Sequence, residues 1–265
     1  MTATTWKDVL ERPCAGDHVA QIYRDTEFLL DAVCHYVAAG LANGEGVVLI
    51  MRQANWDSLR RRLEAEGVDT EGAIARGQLF QYEAEATLAN VMKGGMPDAD
   101  AFRVVIGGVI SLVRRDYPEV RAFGEMVDLL WQRGHRLGAQ HLESLWNNYM
   151  QQHPFALLCA YQMDPLHESA YRGPIESICR SHTHLIPARD YGRFDSAVSR
   201  ASEEVLNGPL STLLRSLAEK KRAATGMPPG QATIMWLMEN MPRTADRVLE
   251  RVRTQFSEES PRAAL

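Results

Sequence analysis

From residue 18 to about 185, short apolar runs alternate with stretches whose apolar positions recur at helical spacing. The first run, His18–Tyr23 (HVAQIY), reads as a strand. Asp25 then stands where a helix N-cap belongs, since its carboxylate can take up an otherwise unpaired backbone amide. Behind it Leu29, Ala32, Val33, Tyr36 and Val37 keep the i, i+3, i+4, i+7, i+8 spacing of one helical face. Gly44 and Gly46 punctuate the turn into Gly46–Met51 (GVVLIM), a run without polar alternation, as a strand covered on both faces should be. Trp56, Leu59 and Leu63 predict the next helix, ended by Gly67. Leu79–Tyr82 predicts a third strand, and a helix around Leu88, Val91 and Met92 stops at Gly94–Gly95. Phe102, Val105, Ile106, Val109, Ile110 and Val113 form a helical stripe that Pro118 closes. Val120–Met126 reads as a fourth strand, Leu142, Leu145, Trp146 and Tyr149 line a helix, and Phe155–Tyr161 (FALLCAY) is a fifth strand.

This alternation predicts an α/β fold: a mainly parallel sheet of about five or more strands with helices on both faces. An antiparallel layer would need hairpins, and no two-residue hairpin turn is read from the chain. After Asp190 the pattern is helical only. Leu206, Leu210, Leu213, Leu214 and Leu217 form a leucine face, bent at Asn207-Gly208-Pro209 because Pro209 lacks an amide donor. A Gly/Pro loop at Thr225–Gly230 precedes Ile234, Leu237, Met238 and Met241, then Pro242 breaks the pattern before Val248, Leu249, Val252 and Phe256. Ser257–Leu265 reads as a frayed tail. The division is an N-terminal segment 1–14, an α/β domain 15–190 and an all-helical extension 191–265. About 70 residues seldom bury enough apolar surface alone. The extension is therefore expected to fold back as a short bundle against the sheet domain or another chain, and to contribute to a homodimer.

Composition narrows the function classes. The 265 residues carry a net charge of −5, so no basic excess points to nucleic acid. No apolar stretch of roughly 18 residues marks a membrane span, and the N-terminus has no secretory pattern. The four cysteines, Cys14, Cys34, Cys159 and Cys179, are scattered and read as free thiols of a cytoplasmic protein. In open parallel sheets, ligands sit beyond the carboxyl ends of the strands. The first such turn, Tyr23-Arg24-Asp25-Thr26, has neither the glycines nor the lysine of a phosphate loop, and no Rossmann fingerprint follows a strand.

The stretches DHVAQIYRD, GLANGEGVVLIM, ARGQL, RAFGEMVDLLW, LESLWN, FALLCAYQM and ICRSHTHLIP together resemble the MEDS sensory domain family, over roughly residues 15–190. RAFGEMVDLLW and LESLWN are the most specific of them. The resemblance implies a RecA/KaiC-like fold that has lost its phosphate loop. It also implies a sensor of small organic ligands, working beside histidine-kinase or DNA-binding modules in transcription regulation. The family pattern places a cysteine two residues after the first-strand histidine. Ala20 stands there, so a thiol–imidazole metal pair on that strand is not expected.

Candidate chemistry gathers at a few places. His18 reads as a polar contact at a strand start. Cys179 and His182 share a helical face with Ile175 and Ile178, close to His184. That spacing suits a metal, but an apolar face suits packing, and packing is the reading adopted. Glu125 and Asp128 follow the fourth strand; Glu143 and Asn147 lie one turn apart beside Trp146. Paired carboxylates can do acid–base work, yet no nucleophile–base motif accompanies them, so an enzyme using Glu125 and Glu143 is the weakest reading. The preferred one is a ligand pocket built from His18, Tyr23, Arg24, Arg52, Glu125, Glu143, Asn147 and Tyr161, with Trp131 and Trp146 as apolar walls. Arg60–Arg62 reads as a solvated helix face. Trp236 with Met235, Met238 and Met241 reads equally as a docking face or as core. The expected function is a non-catalytic sensory protein that binds a small organic ligand or a signalling partner and transmits through its C-terminal helices, with no cofactor or metal. The alternative is an interaction protein without a ligand.

Overall fold

The computed structural model describes residues 6–186, 189–225 and 227–258. Its strands are β1 (His18–Tyr23), β2 (Gly46–Met51), β3 (Leu79–Glu83), β4 (Met92–Lys93), β5 (Met96–Pro97), β6 (Val120–Gly124), β7 (Ala156–Gln162) and β8 (His184–Ile186). Six of them form one sheet in the order β3-β2-β6-β7-β1-β8, and every pairing in it is parallel. Parallel neighbours need crossovers, and helices supply them on both faces. One face is covered by helices Trp6–Glu11, Thr26–Ala42, Gln53–Ala65 and Thr70–Ala75, which bury Leu10, Leu29, Val33, Leu59 and Leu63 against Val47, Leu49 and Leu158. On the other, Ile106, Leu142, Trp146 and Ile178 cover Ala20, Val48, Leu157 and Cys159. The α/β architecture with a helical extension is therefore as the periodicity predicts.

Several local readings need correction. Strand β6 ends at Gly124, because Glu125 and Met126 turn into the helix Met126–Gln132. Gly94 and Gly95, both at positive φ, do make a two-residue hairpin turn, between β4 and β5. The stripe from Phe102 to Val113 passes through a π-helical segment, Arg103–Gly107. The helix Pro174–Ser181 stops one residue before His182, which is extended (φ −125°, ψ 151°) and leads into the unforeseen edge strand β8.

The C-terminal chain folds into four helices, Tyr191–Leu206, Gly208–Thr225, Pro229–Asn240 and Pro242–Glu258, which pack on one another. Asn207, at φ 64°, makes the bend expected before Pro209. Phe194, Met227, Ile234, Met235 and Leu249 join the same buried cluster as the sheet face, so the bundle packs on the sheet domain. The leucine face divides: Leu206 and Leu214 are buried, Leu217 is half-buried, and Leu210 and Leu213 are exposed. Met235 is core, while Met241 is exposed. The tail read from Ser257 lies outside the described residues beyond the last helical turn. No helix among the described residues is long and apolar enough to cross a membrane.

Candidate functional site

Side chains alternate along a strand, so His18, Ala20 and Ile22 share one face of β1, and Cys159 and Tyr161 share a face of β7. The parallel ladder sets Cys159 beside Ala20, which puts a thiol next to the position where β1 has none. The helix Arg136–Gln152 lies over this face and presents Glu143 and Asn147 from successive turns. His182 closes the site from the end of the helix Pro174–Ser181. Thr183 locks the junction: its amide donates to the His18 carbonyl at 2.7 Å, and the His18 amide donates to its Oγ1 at 3.0 Å.

Four side chains converge here. His18 Nε2 lies 3.3 Å from Cys159 Sγ and 3.3 Å from Glu143 Oε2. His182 Nε2 lies 3.4 Å from Glu143 Oε1, and the two imidazole rings are 4.0 Å apart. Asn147 Nδ2 donates to the Ser181 carbonyl at 2.9 Å, which leaves its Oδ1 facing His18 Nδ1 at 2.9 Å and assigns the proton to that nitrogen. His182 Nδ1 faces the Ile178 carbonyl at 2.7 Å and must likewise be the donor. Tyr161 donates its hydroxyl to Glu143 Oε1. Glu143 Oε2 and His182 Nε2 have no hydrogen-bond partner and are buried.

Burial governs the charges. Desolvation and the neighbouring His182 lower the His18 pKa to about 4 against the pull of Glu143, so that ring is neutral near pH 7. Burial raises the Glu143 pKa, but His182, His18 and the Tyr161 hydroxyl outweigh it and hold the carboxyl at about 2. Burial and the Glu143 charge push Cys159 and Tyr161 well up, keeping both protonated.

A second polar cluster sits at the carboxyl ends of the strands. Asp128 accepts from the Tyr23 hydroxyl at 2.7 Å, Arg52 Nη2 at 2.8 Å, Gln132 Nε2 at 2.6 Å and the Gln162 amide at 2.7 Å. Glu125 accepts from the Arg52 amide and Asn55 Nδ2, each at 2.5 Å. Of the residues singled out in the sequence, His18, Glu143, Asn147 and Tyr161 meet in the buried cluster, and Tyr23, Arg52 and Glu125 meet in the second. Trp131 stands edge-on to Tyr161 at 5.6 Å. Arg24 is exposed and belongs to neither cluster. Trp146 is core, packed edge-on to Phe102 at 4.9 Å. Cys179 packs in the core as expected, whereas His182 leaves the apolar face and joins the cluster. Cys159 was missed as a site residue; its period-two relation to Tyr161 is the signal that carries it.

Residues 17–183 match the family model described as MEDS, MEthanogen/methylotroph, DcmR Sensory domain. The chain belongs to the MEDS family. Membership gives it a sensory role in signalling. No curated protein and no solved structure matches it. The matched MEDS segment contains His18, Glu143, Cys159 and His182, and it closes at Thr183, the residue that ties the His182 junction to β1.

Proposed function

We propose that this MEDS protein is a non-catalytic cytoplasmic sensor in which a small organic molecule occupies a groove beside His18 and His182, and the C-terminal helices carry the response. The observation that supports it most is the groove itself, about 520 Å³, with Asn147, His182 and Thr183 on its polar side and Met150 and Pro154 on its apolar side. Mixed walls of this kind suit an organic ligand with a few hydrogen-bonding groups. The helix Pro174–Ser181 ends at this groove and reaches the bundle at its other side. There Glu176 pairs with Lys221 at 3.2 Å, and Lys221 pairs with Glu239 at 2.5 Å. A ligand that shifts His182 would thus bias the bundle. Glu125 and Asp128, saturated by internal donors, serve as a brace between β1, β2 and β6, which supports a reading without acid–base catalysis.

Native mass spectrometry of protein purified from its own host tests this. A retained small molecule is expected, and Gln151→Trp, which crowds the groove from an exposed position, should lose it. A retained compound lying wholly within residues 191–258 overturns the reading. So does the absence of any retained compound, if a panel of small organics also leaves the His18 and His182 ring signals unshifted by NMR. One observation favours a second reading, an interaction protein without ligand: Leu210 and Leu213 stand 55% and 56% exposed on one helix.

A further inference from the structure

We infer that His18, Glu143, Cys159 and His182 form a binding site for one divalent transition-metal ion of the zinc class. The site is independent of the organic-ligand groove reading and stands on its own geometry. One ligand atom from each residue lies within 4.8 Å of all the others. Tetrahedral zinc has bonds of about 2.0–2.1 Å to nitrogen and oxygen, which sets ligand–ligand edges of about 3.3–3.4 Å. His18 Nε2 lies 3.3 Å from Glu143 Oε2 and His182 Nε2 lies 3.4 Å from Glu143 Oε1, so each carboxylate oxygen is one edge from an imidazole. His18 Nε2 and Cys159 Sγ, 3.3 Å apart, would open slightly to the edge of about 3.6 Å that a Zn–S bond of about 2.3 Å sets.

Proton placement points the same way. Both Nδ1 atoms donate outward, to Asn147 Oδ1 and to the Ile178 carbonyl, so Nε2 is the nitrogen that each ring aims into the cluster. Histidine ligands to a metal are commonly held in this manner by a hydrogen bond from the other nitrogen. His18 Nε2 can accept from the Cys159 thiol at 3.3 Å, whereas the nearest polar neighbour of His182 Nε2 is Glu143 Oε1 at 3.4 Å. His182 Nε2 and Glu143 Oε2 are buried without hydrogen bonds, which is costly for polar atoms kept from water. A divalent ion at the centre takes one ligand atom from each of the four residues. The Cys159 thiol proton is released to solvent as the sulfur–metal bond forms. Sulfur and imidazole nitrogen select against magnesium and calcium, which take oxygen ligands. The groove that ends against His18 and His182 provides the route in. Once bound, the ion would tie β1, β7, the helix Arg136–Gln152 and the junction into β8 at a single point.

The test uses the full chain, stripped with a chelator and titrated with Co2+ as a spectroscopic substitute for Zn2+. One ion per chain should remain after free metal is removed, with the strong visible bands of tetrahedral cobalt and a thiolate-to-cobalt charge-transfer band. Zn2+ should displace it. Cys159→Ser should abolish the charge-transfer band, while Cys179→Ser, whose thiol packs outside the cluster, should retain it. His182→Ala, outside any helix or strand, should weaken retention by at least about tenfold. Zn2+ should also raise the melting temperature of the stripped wild-type chain, a readout that needs no variant. No retained ion together with an unchanged melting temperature overturns the proposal. So does a retained ion whose cobalt spectrum is the same in folded Cys159→Ser and His182→Ala.

Discussion

His18 is 2% exposed, and the groups facing it are Glu143, His182 and Cys159, with Tyr161 bonded to Glu143. A proton added to that ring enters a space with almost no water, and this makes the metal-free domain sensitive to acid. Its pKa falls from 6.5 in the unfolded chain to about 4 in the fold. Between those values the unfolded state binds more protons, so the stability tied to a neutral His18 is complete above about pH 6.5 and is lost as pH falls towards 4. The largest loss is about 3 kcal/mol. Glu143 acts in the same direction in the next window, from 4.5 down to about 2. Thermal melts of metal-free protein between pH 7 and pH 4 should show a falling melting temperature, flattened in His18→Gln. An equal fall in that variant would assign the effect to other groups. On the opposite face Arg121, fully buried, is ion-paired with Glu45 and also donates to the Tyr36 carbonyl at 2.7 Å. A Cβ on Gly40 would lie 2.5 Å from its side chain, so this buried charge has a glycine made to its shape.

At the scale of elements, the junction from β1 into the helix Thr26–Ala42 is where a nucleotide-binding sheet would wrap a phosphate in backbone amides. Here the Asp25 carboxylate accepts from the Phe28 amide at 2.9 Å, placing negative charge where a phosphate would need donors. Calorimetry with ATP and magnesium should therefore show no binding in the micromolar range; a micromolar dissociation constant would refute this. That junction was legible in the sequence, as were β1 and β2 to the residue, because burial on both faces leaves continuous apolar runs. Glu143 and Asn147 were legible as a pair by helical spacing, whereas Cys159 was read only as a free thiol although strand spacing puts it on one face with Tyr161. What spacing could not give was their meeting. Strands β1 and β7 are far apart in sequence, and only the crossover order of the sheet sets Cys159 beside Ala20. His182 was hidden for a different reason. The helical period runs on through it, while the backbone leaves the helix one residue earlier to add β8 to the sheet edge.

For the whole molecule, the question is what the helical bundle adds beyond covering the sheet domain. Its inward residues, Phe194, Met235, Val248 and Leu249 among them, share the core, so a chain ending at Asp190 would expose an apolar face of the kind soluble monomers avoid. Two outward leucines remain on the helix Gly208–Thr225. Leu210 and Leu213 are three apart and face solvent, while Leu214 and Ala218 on the same helix turn inward. In a two-fold pairing both leucines are contributed by each subunit. Each is already about half-covered, so burying the rest gains roughly 1 kcal/mol apiece, or about 4 kcal/mol for the pair of subunits. Association itself costs about 4 kcal/mol or more. The two leucines therefore cannot hold a dimer unaided, and a homodimer at micromolar concentration needs about 8 kcal/mol more from the surface around them. Light scattering on the full chain across a range of micromolar concentrations should show mass rising towards twice that of the monomer. Leu210→Glu with Leu213→Glu should hold it at monomer mass without lowering the melting temperature, since neither side chain belongs to the core. Constant monomer mass for the wild-type chain over that range would refute the dimer and leave the two leucines to another partner.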